Sequence, residues 1–154
     1  MPKQSAGLLM YRRRKEGIQV LLVHPGGPYW ANKDLGVWSI PKGEYAEGED
    51  PLETARREFR EETGTAAFGQ FLPLTPIKQA GGKRVQAWAF EGDLNASSIS
   101  SNTFSMQWPP RSGKQQTFPE VDRAEWFTID TARIKIRKGQ AALLDELLAI
   151  LAKT

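Results

Sequence analysis

Residues 43–65 read GEYAEGEDPLETARREFREETGT, and they set eight carboxylates (Glu44, Glu47, Glu49, Asp50, Glu53, Glu58, Glu61 and Glu62) among three arginines. Asp50 suits an N-cap, Pro51 the first helical position, and Glu53 follows at a capping-box spacing. Gly64 supplies a stop signal. The spacing therefore predicts a helix that begins after Asp50 and ends at Gly64. On such a helix Glu58, Glu61 and Glu62, at i, i+3 and i+4, project from one side. Leu52, Ala55 and Phe59 form an adjacent apolar face, and Arg56 and Arg60 lie opposite, near Glu53. Like charges held that close repel, so the arrangement predicts a divalent cation between them.

A charged surface helix could hold the same acids merely for solvation, but the order of residues argues for more. Gly43, five residues, Glu49, seven residues, and then Arg57-Glu58-Phe59-Arg60-Glu61-Glu62-Thr63-Gly64-Thr65 resembles the signature of the Nudix hydrolases. All seven fixed positions of that pattern are filled. Its two looser apolar slots hold Phe59 and Thr65, and neither substitution touches a ligand. The resemblance implies an α/β/α sandwich whose box is a loop-helix-loop. It also implies hydrolysis of nucleoside diphosphates linked to another moiety, with Mg²⁺ or Mn²⁺ as cofactor. By the same resemblance Glu58, Glu61 and Glu62 carry the metal and Gly43 bends the chain and offers its carbonyl. Arg57 holds Glu49 through a bidentate ion pair, and Lys42 meets a phosphate oxygen.

The 154 residues suit one domain spanning 1–154, with 40% apolar and 25% charged residues. No internal repeat or linker marks a second one. There is no cysteine, so disulfides and thiolate metal sites are excluded and any metal must be held by oxygen ligands. No apolar run approaches a membrane span, and MPKQSAGLLMYRRRK lacks a signal-peptide h-region and cleavage site. A cytoplasmic protein is the expectation. The net charge of +3 hides −5 over residues 43–65 and +8 over the remainder, a balance that suits a polyanionic ligand brought in with its metal.

Along the chain, Ser5–Arg12 and Ile18–His24 read as strands joined by a solvated turn at Arg12-Arg13-Arg14-Lys15. A short strand is expected around Val37–Ile40, and a hairpin of Phe68–Lys78 with Lys83–Glu91 about Gly81-Gly82. Residues 93–119 show no clear period and read as a long functional or mobile loop. Arg123–Thr128 reads as a strand and Gln140–Ala152 as an amphipathic helix. The order points to an α/β or α+β sandwich with a mixed β-sheet between helices.

Outside the box, many Nudix proteins place a glutamate in a loop several residues before a tryptophan of the next strand, as metal ligand or general base. Glu120, ahead of Trp126, stands in that place, with Asp122 and Glu125 as competitors expected to face solvent. His24, the only histidine, ends an apolar strand and reads as structural. Tyr29, Trp30, Trp38, Phe104 and Trp108 are candidates to stack a nucleobase, with Trp38 read equally as core or as pocket wall. Lys42, Trp38 and Tyr29 are the expected substrate contacts.

The run Trp38-Ser39-Ile40-Pro41-Lys42-Gly43-Glu44 resembles the lead-in of diadenosine polyphosphate hydrolases, although no tyrosine follows at the spacing of one such group. The expected activity is metal-dependent cleavage of a phosphoanhydride, with a dinucleoside polyphosphate as substrate. A nucleoside triphosphate pyrophosphohydrolase is the alternative. A non-catalytic nucleotide-binding module is another, although its hallmark would be a broken box. An RNA-directed enzyme or binder, suggested by the pI near 9.3, is a further rival. It would need a continuous basic stripe, and the sequence offers only the Arg12–Lys15 turn and scattered arginines, so nucleic acid is not the expected partner. An oligomer is not indicated.

Overall fold

The computed structural model describes residues 3–153, so residues 1, 2 and 154 of the expected domain lie outside the described residues. In chain order the elements are β1 (Gln4–Arg14), β2 (Gly17–Pro25), β3 (Lys42–Glu44), α1 (Pro51–Thr63), β4 (Leu72–Pro73), β5 (Ile77–Lys78), β6 (Arg84–Glu91), β7 (Thr103–Gln107), β8 (Gln115–Pro119), β9 (Val121–Thr128), α2 (Ile129–Lys135) and α3 (Ala141–Ala152). The main sheet runs β4-β6-β1-β2-β9, with β3 added to β1 and β5 to β6. It is mixed: β1 and β6 are parallel, and the other pairs are antiparallel.

Alternation along the central strands sends side chains to two cores. Leu8 and Met10 face one side, where they meet Ala55 and Phe59 of α1 and Phe90 of β6. Leu9 and Tyr11 face the other, with Ala132 of α2 and Leu143, Leu144 and Leu147 of α3. Period-two side chains on a sheet covered by helices on both faces give the expected α/β/α sandwich.

The central sheet forks. One edge of β1 pairs with β6 along most of its length, whereas the other is shared. Tyr11–Arg14 pair with β2, and Ser5–Gly7 pair with β3. Between the diverging strands, residues 38–44 are wedged in. Ser39 exchanges backbone hydrogen bonds with Val23 (2.8 and 3.0 Å), and Leu8 N donates to the Pro41 carbonyl at 3.1 Å. Buried Gln140 secures the wedge, accepting from Ile40 N at 3.1 Å and donating to Ser39 Oγ at 3.0 Å. Gly7 is required here by close approach, since a Cβ on it would lie 2.6 Å from the Pro41 oxygen.

Several expectations change. Val37–Ile40 forms no strand, only isolated bridges from Ser39 to Val23 and from Trp38 to Ile136, because the wedge touches each neighbour in turn. Phe68–Lys78 is not one strand either. Pro73 and Pro76 break it, leaving β4 and β5, and a 3₁₀ turn at Ala80–Gly82 precedes β6. Residues 93–119 are not a structureless loop, for they contain the β7–β8 hairpin as a separate two-stranded sheet. The helix α2 went unread because Ile and Thr dilute its helical signal, but Thr128 caps it by accepting from Thr131 N.

The Arg12–Lys15 segment is a tight hairpin whose arginines pair with acids rather than only with water. Arg12 and Arg14 reach Asp93 at 2.8 and 2.9 Å, and Arg13 reaches Glu91 at 3.5 Å.

Phe59 fastens α1 to the sheet: it is fully buried and packs edge-on against Phe90 at 5.4 Å. Phe59→Ala is expected to lower stability by about 3–5 kcal/mol. Urea denaturation checks this, and a loss below about 1 kcal/mol would show that α1 is anchored elsewhere.

Candidate active site

The helix α1 forms as its end signals predict. The Asp50 side chain accepts from Glu53 N, Pro51 starts the helix, and Gly64 closes it in the left-handed region at φ 80°. The helix's last carbonyls are satisfied from outside the box: Ser100 N donates to Thr63 O at 3.0 Å, and Asn102 N donates to Glu61 O at 2.7 Å. These bonds tie the end of α1 to the segment leading into β7.

With Phe59 buried, Glu58, Glu61 and Glu62 turn toward a cavity of about 450 Å³. The wedge supplies Lys42 and Gly43 to the same cavity, and the β8–β9 corner supplies Glu120. A roomier depression of about 640 Å³ lies outside, along the Glu44–Glu49 loop, and no side chain of α1 lines it. The chemistry sits in the smaller space.

Glu120 is held by its main chain. Its N–H donates to Asn102 O at 2.8 Å, and its carbonyl accepts from Gly26 N at 2.9 Å. A Cβ on Gly26 would lie 1.9 Å from the Pro119 oxygen, so only glycine permits this approach. The run Pro25-Gly26-Gly27-Pro28 was legible as a chain break but not as the seat of Glu120.

Gly43 is needed for a different reason from the expected bend. It lies inside β3 and lacks the left-handed φ of the turn glycines, but a Cβ there would fall 2.1 Å from Cδ of Glu58. The expected bidentate Arg57–Glu49 pair is also corrected. Arg57 approaches Glu49 once, at 3.8 Å, and reaches Glu58 at 3.3 Å and Glu61 at 3.6 Å. The other Glu49 oxygen accepts from Ala46 N at 2.7 Å and fixes the loop before α1. One guanidinium thus spans three acids because the helix places Glu58 and Glu61 one and four residues after it.

Electrostatics in the cavity are uneven. Burial, then the Glu58 and Glu120 charges, push Glu62 up to about 9, against the pull of Lys42. Burial and Glu61 also raise Glu58, partly offset by Arg57. Lys42 is lowered to about 8 by burial first and then by the neighbouring Lys83 and Arg137.

The donor set fits a hard divalent cation in its chemistry: all oxygen, acidic and partly desolvated. Ser5 Oγ, buried among the strands lining this cavity, has no hydrogen-bond partner among the described residues, which leaves one more oxygen for a ligand. Among the described residues no three acids converge as a finished cage, and Arg57 takes the cation's part toward Glu58 and Glu61.

The structure sorts the remaining candidates. Trp38 is not a stacking surface: at 1% exposure it is core, edge-on to His24 and Phe127, with its indole N–H on Asp34 at 2.8 Å. Tyr29 is exposed and sits edge-on to Trp108 at 5.2 Å, outside the residues lining the carboxylate cavity. Phe104 packs on Phe118 within the hairpin, 6.0 Å between centroids. His24 is fully buried, with its ring nitrogens at 2.8 Å from Asp122 and 2.6 Å from the Lys33 carbonyl. This is a structural clamp, and Asp122 takes part in it while still exposed to solvent as expected. Glu125 is exposed on β9.

The NUDIX domain family model matches residues 1–147 of the chain. An RNA pyrophosphohydrolase from Rhizobium meliloti (strain 1021) is 32% identical over 135 residues, 71% of this chain and 75% of that protein. A second RNA pyrophosphohydrolase, from Bartonella henselae, is 28% identical over 149 residues, 80% of this chain and 79% of that protein. Among solved structures, the binary complex of the C. elegans Ap4A hydrolase superposes with a TM-score of 0.65 at 24% identity, covering 99% of both chains. That last likeness is one of fold.

A carboxylic acid whose folded value is raised makes the native state bind more protons than the unfolded chain. For Glu62 this destabilises the cation-free protein progressively as pH rises from about 4.5 toward about 9. Glu62→Gln removes the effect. In EDTA the variant is expected to melt above the wild type, with a gap that widens from pH 5 to pH 9, as read by thermal melts. A gap independent of pH would show that Glu62 ionises normally.

Proposed function

The chain belongs to the NUDIX domain family and is a Nudix pyrophosphohydrolase, and on that premise we propose that it hydrolyses a phosphoanhydride bond in a nucleoside polyphosphate bearing a second substituent. A dinucleoside polyphosphate of the Ap4A kind is the first substrate we assign. The observation that carries the reading is the joining of Glu58, Glu61, Glu62, Glu120 and Lys42 on one open cavity. Magnesium or manganese held by Glu58, Glu61, Glu62, Glu120 and the Gly43 carbonyl would supply charge neutralisation and a more acidic water.

The chain's own groups do the rest. Arg57 holds Glu58 and Glu61 in register on the helix face. Lys42, half-buried and without an acidic partner within ion-pair distance among the described residues, offers its ammonium to a phosphate oxygen as a point charge. Glu120 reaches the cavity from the β8–β9 corner on a backbone fixed at both its N–H and its carbonyl, suited to accept the proton of the attacking water. Glu49 keeps the loop ahead of α1 closed. Tyr29, exposed beside Trp108, is the aromatic assigned to meet the nucleobase.

A second reading has its own support: both curated relatives are named RNA pyrophosphohydrolase, so the polyphosphorylated 5′ end of an RNA is the rival substrate. Both substrates present a phosphoanhydride chain esterified to a nucleoside 5′ oxygen, at both ends in the dinucleotide and at one end in the RNA.

The test is product analysis with a panel of nucleotides and a 5′-triphosphorylated RNA, in Mg²⁺ and in Mn²⁺. ATP plus AMP from diadenosine tetraphosphate supports the first reading, and pyrophosphate released from RNA supports the second. No phosphorylated product from any substrate overturns both. Glu61→Gln is expected to cost about 10²–10³-fold in kcat. Gly43→Ala, by displacing the Glu58 carboxylate, should cost about 10²-fold while the protein stays folded by circular dichroism.

A further inference from the structure

Beyond Glu62 and Glu120 the cavity continues into a second hollow of about 210 Å³, bordered also by Ser39, Lys42, Val121 and Arg137. Arg137 is outside the box and no motif singles it out. Its main chain is fixed on both sides. Its N–H donates to Trp38 O at 2.8 Å, where the wedge begins, and its carbonyl accepts from Gln140 N at 2.8 Å.

The side chain is exposed and, among the described residues, has neither an ion pair nor a side-chain hydrogen bond. That sets it apart from Arg12, Arg14, Arg57 and Arg133, which all meet carboxylates. Its guanidinium instead lies over the Trp30 ring, 5.8 Å from the centroid, and Lys33 approaches the same ring at 5.2 Å. Trp30 is thus occupied as a rest for two cations rather than free to stack a base. Lys42 borders the same hollow and, among the described residues, its ammonium likewise has no acidic partner within ion-pair distance. Two unpaired cations held within each other's field repel, and a shared anion would relieve both.

We propose that Arg137 is a phosphate-binding residue which, with Lys42, holds the portion of the polyphosphate chain lying beyond the carboxylates, and so selects substrates with three or more consecutive phosphates. This rests on the reading above that the substrate is a nucleoside polyphosphate. A linkage seated among the acids needs at least one further phosphate to enter the second hollow. Arginine suits that place, because its planar fork engages two oxygens of one phosphate. Trp30 acts as a positioning residue for the guanidinium.

The decisive experiment is calorimetry of inorganic tripolyphosphate and of pyrophosphate binding to the folded protein in EDTA, which needs no turnover. Wild type is expected to bind tripolyphosphate more tightly than pyrophosphate. Arg137→Gln should weaken tripolyphosphate at least about tenfold, and Arg137→Lys should recover only part of that loss. Lys114→Gln removes an exposed charge on the β7–β8 turn and should leave affinity unchanged. Trp30→Ala should lose affinity and Trp30→Phe should keep it.

In turnover, Arg137→Gln should raise KM for the longest polyphosphate about tenfold with kcat within about threefold. Equal tripolyphosphate affinity in wild type and Arg137→Gln, or no binding by wild type, overturns the assignment. An Arg137-dependent affinity in a protein that turns over no nucleotide would support the subsite while removing the hydrolase reading.

Discussion

The site depends on a fork in the central sheet. Were β1 and β2 paired along their whole lengths, no chain could pass between them, and Lys42 and Gly43 would have no route to the cavity. Their divergence beyond Tyr11 and Val20 leaves backbone donors and acceptors that the 38–44 wedge satisfies from both sides. Buried backbone groups tolerate no other outcome than pairing. The wedge is therefore fixed by the same bonds that complete the sheet, and the residues at its tip inherit that rigidity. Gln140, reaching in from the start of α3, ties the second core to the same segment.

Three separate supports meet at the cavity, and each is stabilised by something other than the chemistry it presents. The acids of α1 are placed by Phe59, an apolar anchor. Lys42 is placed by the wedge, and Glu120 by a backbone corner that needs a glycine opposite. Because none of these supports relies on attraction among the charged groups, the carboxylates can be brought together against their mutual repulsion. Glu62 is raised by burial first and by that crowding second, whereas Lys42 is lowered by burial and by the neighbouring Lys83 and Arg137. An electrostatically frustrated cluster on a well-packed frame is the expected state of a site shaped for a cation and a polyanion.

The legible parts of this molecule were those governed by local rules. Asp50, Pro51 and Gly64 delimit α1 through contacts within a few residues, and the i, i+3, i+4 spacing alone put three acids on one face. The strands β1, β2, β6 and β9 announced themselves by apolar runs, and with α1 and α3 they suffice for the sandwich. What stayed hidden depended on chain segments far apart. That Trp38 is core follows from Phe127 and His24 closing over it, which no local pattern encodes. Arg57 is an exception, for the three acids it serves all lie within eight residues of it. The β7–β8 hairpin was obscured because its strands are short and lie outside the main sheet: Thr103–Gln107 alternates over only five residues, and its partner opens on three polar ones, Gln115, Gln116 and Thr117. The need for Gly26 and Gly43 is set by what approaches them, 93 and 15 residues away, at Pro119 and Glu58.

The hairpin's two roots are fastened to one another, since the main chain of Glu120 bonds to that of Asn102, and Asn102 in turn bonds to the end of α1. Whatever the length or composition of the excursion between those roots, the separation at its base stays the same. The excursion therefore behaves as an exchangeable module: its tip, with Trp108 beside Tyr29, is free to diversify toward new ligands, while the corner bearing Glu120 is insulated from every such change.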